Sequence, residues 1–163
     1  MAKKSAYFGV LLSLAMICGY IEMLIPFDFG IPGIKLGLAN IVALWLLYKN
    51  GFWSAIAVKI GRILLVGILF GNVMSIFYSL CGGILAVIIM FFAKKARCFS
   101  PVGVSIAGAF FHNVGQLLAA SLVIGTGAVG YYLPFLTLSA VATGLLIGLL
   151  GAYLFKRVKY TAT

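Results

Sequence analysis

The chain has almost no negative charge. Glu22 and Asp28 are its only acidic side chains among 163 residues, against twelve lysines and arginines and a single histidine. Acid this scarce excludes any site built on clustered carboxylates, including aspartate-rich clusters that hold magnesium ions. Charge of either sign is sparse too, at 9% of residues, far below the roughly 25% of a soluble domain. The three cysteines, Cys18, Cys81 and Cys98, have neither metal spacing nor the pattern of a disulfide framework. Cys18 and Cys81 read as packing residues and Cys98 as a reduced thiol on the cytoplasmic side. There is no Walker loop and no Ser-His-acid or Cys-His arrangement, so the chain can neither energise transport by itself nor run nucleophilic catalysis of those kinds. Nothing in it specifies a cofactor or a metal.

What is abundant is apolar. Hydrophobic residues make up 64% of the chain and the mean hydropathy is +1.23, which identifies an all-α integral membrane protein: isolated spanning segments must satisfy their own backbone hydrogen bonds, and these runs are too long for barrel strands. Apolar stretches at about 5–25, 34–48, 52–70, 73–93, 102–124 and 132–155 predict six transmembrane helices in a single membrane domain covering 1–163. Gly, Pro, Asn and Asp mark the breaks between them. The first stretch is of spanning length and lacks a small-residue cleavage site, so it reads as a retained helix and not a secretory signal.

Cytoplasmic loops collect lysine and arginine. With the amino terminus inside, Lys3, Lys4, Lys49, Lys94, Lys95, Arg97, Lys156, Arg157 and Lys159 all fall on the inner side, nine of the twelve basic residues. Both termini are therefore expected in the cytoplasm. Trp45, Tyr48, Phe52 and Trp53 bracket Lys49 as an aromatic belt would. The net charge of +10 is mostly this topology signal and gives no reason to propose nucleic acid as a partner. The second span is short, about 20 Å from Leu36 to Tyr48 at 1.5 Å per residue. Either it tilts little, or the Pro/Gly-rich stretch before it dips into the protein as a lid.

Three basic residues escape the topology rule. Lys35 falls on the outer side, while Lys59 and Arg62 lie three apart inside the third helix. Charge at such depth is costly and marks a path or a site. Lys59 has two readings, snorkelling to the inner face or a functional role; Arg62 is too deep to snorkel and its planar fork suits carboxylate or phosphate. His112, Asn113 and Gln116 share one face of the fifth helix, at a depth close to that of Arg62. They serve either as interhelical hydrogen-bond partners or as cavity lining. Asn40, at the start of the second span, belongs to the same outer half. Glu22 pairs with Lys59 or Arg62, or meets a ligand. The small-residue pairs Gly9/Ser13, Ala15/Gly19 and Gly144/Gly148 either pack helices within the bundle or dock a separate membrane subunit, for which the first helix is the preferred site.

The segment from Pro32 to Asn40, following a helix that carries Glu22 and ends near Pro26, together with Phe111-His112-Asn113-Val114-Gly115-Gln116, resembles the bacterial Gx transporter family, often labelled heptaprenyl diphosphate synthase component I. That family in turn resembles the substrate-binding S components of energy-coupling factor (ECF) vitamin transporters. The resemblance implies a six-helix bundle in the bacterial cell membrane and a pocket facing outward, capped by the loop between the first two helices. Lys35, Asn40, Lys59, Arg62, His112, Asn113 and Gln116 would surround the pocket; Gly9 and Ser13 would meet the coupling subunit of an ECF-type module that also contains ATPases. The expected ligand is a small anionic solute. Flavin, prenyl phosphate, a quinone precursor and thiamine-like compounds are all admissible, with cations disfavoured. Two rival readings stand: a non-catalytic membrane partner of a polyprenyl diphosphate synthase or of a quinone- or flavin-linked redox system, and an autonomous carrier or channel.

Overall fold

The computed structural model describes residues 2–24 and 37–158. They form helices α1 (Ala2–Leu24), α2 (Asn40–Lys49), α3 (Phe52–Phe70), α4 (Val73–Lys95), α5 (Pro101–Ile124) and α6 (Leu133–Arg157), with a 3-10 turn at Gly127–Tyr132 before α6. No strand occurs among the described residues. The helix bounds follow local chemistry. Asn72 accepts from Ser75 N at 2.8 Å to cap α4, and Ser100 accepts from Gly103 N ahead of Pro101 in α5. Gly125, at φ +72°, ends α5 in the left-handed cap that glycine adopts without steric cost.

Five of the helices are long and apolar enough to cross a membrane; α2, at ten residues, is the exception. The second span expected at 34–48 thus starts later, at Asn40. Gly37, at φ +71°, cannot continue a right-handed helix, and Asn40 N bonds back to Gly37 O at 2.8 Å to open the helix anew. The part of that expected span before Gly37, with the proposed lid, lies outside the described residues.

The short helix is the centre of the bundle. Leu44, Leu46 and Leu47 are fully enclosed, and α2 touches every other helix. Around it α1 packs on α3, α3 on α4, α4 on α5 and α5 on α6, while α1 and α6 do not meet among the described residues. A tight seam joins α5 and α6. A Cβ added at Gly144 would stand 2.6 Å from Ile106 Cα, and one at Gly148 2.7 Å from Val102 Cα, so two backbones touch where only glycine fits. Outward, Leu122, Ile68, Leu138 and Ile17 are exposed, as lipid-facing side chains are.

The ends of α1, α2, α4 and α6 that carry basic residues gather at one end of the bundle, and side chains close that end. Trp45 Nε1 donates to Tyr7 Oη at 2.8 Å, Tyr7 in turn donates to Asn50, and Phe155 stacks on Trp45 and Tyr48. Lys94 Nζ reaches across to Leu47 O at 2.7 Å, satisfying a carbonyl that the last turn of α2 leaves without an intrahelical partner.

Candidate functional site: a polar cavity at the meeting of six helices

Arg62 and Lys59 are the two charges whose depth needs explaining, and each lies in space that a glycine leaves open. Gly19 on α1 faces the guanidinium: a Cβ there would stand 2.7 Å from Nη2 and 2.8 Å from Nε. Gly83 on α4 faces the lysine stem, with a Cβ position 3.0 Å from Lys59 Cε. Lys59 is 4% exposed and does not snorkel; its ammonium donates to Asn40 Oδ1 at the start of α2. Arg62 Nη2 meets Glu22 Oε2 at 3.1 Å, an ion pair in which the Glu22 side chain is 4% exposed and that of Arg62 14%. The acid thus chooses the arginine.

These groups open on one cavity of about 30 Å³, room for roughly two waters. All six helices contribute to its lining. From α1 comes Glu22, from the turn and start of α2 come Gly37, Ala39 and Asn40, and from α3 come Lys59 and Arg62. Then α4 adds Ser79, α5 adds Ala109, His112 and Asn113, and α6 adds Thr143. Arg62 and His112 therefore occupy one level, as their distances along α3 and α5 imply. Below, towards the sealed end, Lys59 and Arg62 also bound a smaller, almost wholly apolar void with Ala15, Val42, Ala43 and Val58.

Of the residues expected at a pocket, Asn40, Lys59, Arg62, His112 and Asn113 are brought together here. Gln116 is not among the lining residues: its Cγ lies over Gly82, within 2.8 Å of where a Cβ would be, filling the seam between α4 and α5. Lys35 lies outside the described residues. Asn113 keeps the structural role weighed for it as well, since Nδ2 donates to Leu136 O of α6 at 2.9 Å. Ser79 and Thr143 carried no signal in the sequence. Small hydroxyl residues are common in apolar helices and bond their own backbone, as Thr143 does to Ser139 O at 2.9 Å. Among the described residues no group of three or more His, Cys, Asp or Glu side chains could hold a metal ion.

The small-residue pairs divide by location. Ala15 and Gly19 are buried in the bundle, and Gly144 and Gly148 lie in the seam between α5 and α6. Gly9 and Ser13 are exposed; nothing lies within 4 Å of a Cβ at Gly9, and the Ser13 hydroxyl bonds Gly9 O at 3.0 Å. Cys18 and Cys81 are half-buried and Cys98 is exposed.

A bundle of apolar helices, five of them long enough to cross a bilayer, around a charged cavity defines a multi-pass membrane protein. Residues 11–154 match the family model for heptaprenyl diphosphate synthase component I, and the chain belongs to that family. No curated protein and no solved structure matches it.

Proposed function

We propose that the protein is a six-crossing membrane subunit of the bacterial cell membrane, with both termini cytoplasmic, that binds a small anionic solute from the outer side, as an ECF S component does. One observation carries this reading: all six helices converge on a cavity lined by Arg62, whose side chain is only 14% exposed. Arginine presents a fixed fork of donors suited to carboxylate or phosphate. The aromatic and lysine contacts at the basic end leave the opposite end as the route in.

The closed cavity is the size of a head group alone. A larger solute requires the cavity to widen, with the ligand shifting a pre-existing equilibrium towards the occupied form. Gly9 and Ser13 form a smooth outward patch on α1, suited to close approach of a second membrane helix, and we assign it to the transmembrane coupling subunit of an energising module. The chain itself supplies binding and no catalysis.

A second reading is favoured by the family name, which describes one component of a synthase. In it the protein is the non-catalytic membrane partner of a polyprenyl diphosphate synthase. Native mass spectrometry of the purified protein, with a binding titration, separates the two. A retained small anion that is lost in Arg62→Ala supports solute capture. Co-purification with a synthase, no retained anion and uptake unchanged by Arg62→Ala would replace it with the partner role.

A further inference from the structure

The ion pair between Glu22 and Arg62 is half made. One guanidinium nitrogen meets one carboxylate oxygen at 3.1 Å, while Glu22 Oε1 and Arg62 Nε are buried without a hydrogen-bond partner. Both residues line the cavity. If the cavity is an anion site, as proposed above, its ligand and Glu22 compete for the same guanidinium.

That competition has a consequence for protons. Two carboxylate-like charges sharing one buried site do not both stay ionised, because each raises the cost of the other's charge. A carboxylate displaced from Arg62, at 4% exposure, gains little from solvent in exchange, and Lys59, the other cation at the cavity among the described residues, already donates to Asn40. Oε1 is the oxygen open to a proton, and once protonated it becomes an O–H donor directed at the incoming anion. We propose that the cavity binds its anion together with one proton, Glu22 being protonated at Oε1 as the anion replaces it on Arg62. The proton comes from solvent and forms one O–H bond; no other bond is made or broken. One negative and one positive charge enter together, so the charge of the site is unchanged. The chemical class admitted is thus any small anion that can take Glu22's place on the guanidinium, entering together with one proton.

The other titratable groups near Glu22 are identifiable among the described residues. Arg62 and Lys59 face it from α3 and His112 shares the cavity from α5, while Cys18 is one turn earlier on its own helix, within electrostatic range. Residues from α2, α4 and α6 add Asn40, Ser79 and Thr143, which do not titrate. Glu22 is the only acid at the cavity among them.

The experiment uses the full chain in lipid nanodiscs with acetate and methanesulfonate, whose charge is constant between about pH 5.5 and about pH 8. Affinity is followed against pH, and proton uptake with an indicator dye in weak buffer. The expected result is one proton taken up per anion, with affinity falling about tenfold per pH unit over the range in which Glu22 is ionised in the empty site and protonated in the filled one. In Glu22→Gln, uptake vanishes and affinity becomes independent of pH. Infrared difference spectra of the unaltered protein give a second readout: methanesulfonate binding creates a protonated-carboxyl band, which in a chain with two acids has few possible sources. Uptake that persists in Glu22→Gln assigns the proton elsewhere and overturns the proposal. Binding that is flat in pH and shows no such band overturns it while leaving the anion site standing. No Arg62-dependent binding of either probe overturns both.

Discussion

Replacing Gly144 and Gly148 together by alanine is expected to destabilise the protein, whereas the same change at Gly9 is expected to be neutral or stabilising. The three glycines are indistinguishable by composition, each on an apolar helix with a small residue four positions on. Their surroundings differ. At Gly144 and Gly148 the new methyl groups would start 2.6 Å from Ile106 Cα and 2.7 Å from Val102 Cα, against the 3.5–4.0 Å at which carbon atoms attract. Backbone cannot rotate out of the way, so α6 must move off α5 by about 1 Å. Overpacking of this kind costs about 1–3 kcal/mol per site, and alanine's better helix propensity returns up to about 1 kcal/mol of it. Because both methyls open the same seam, the effects are less than additive, and the pair should lose about 1–3 kcal/mol in all. At Gly9 there is nothing within 4 Å, and only the propensity gain remains. Thermal unfolding in one detergent, followed through the reactivity of the cysteines, reads all of these variants. A Gly9→Ala protein as unstable as the pair, or a pair as stable as the parent, would refute the assignment of inner and outer small-residue faces.

Arg62→Met is expected to cost about 3–5 kcal/mol, since Glu22 is left buried and unpaired, and Arg62→Met with Glu22→Leu should recover most of it; a double-mutant cycle by thermal unfolding checks this. Tyr7→Phe should lose about 1 kcal/mol by removing the acceptor of Trp45 Nε1, read in the same melt. Cys98, exposed between α4 and α5, should react with a membrane-impermeant maleimide in inside-out vesicles and not in intact cells. Labelling from outside would invert the proposed orientation.

Most of the helical framework was legible because two independent signals coincide: long apolar runs, and Gly, Pro, Asn or Asp at the breaks between them. Phe52–Phe70 is found as expected. The start of α2 was not legible, because hydropathy continues across Gly37 and only its left-handed backbone breaks the helix. At the site, the cations announced themselves by their cost in lipid. Glu22's choice of Arg62 over Lys59 did not, since both lie on one helix and only the third dimension sets which is nearer. Nor does sequence spacing say that Gln116, on the same helical face as His112, turns into the seam over Gly82 while His112 lines the cavity.

The plug formed by Tyr7, Trp45, Phe155 and Lys94 has a physiological corollary. Under the solute-capture reading proposed above, a subunit shut on one side dissipates no ion gradient while idle. Such a subunit can be made in excess of whatever machinery it serves, waiting loaded in the bilayer without short-circuiting the cell's energy supply.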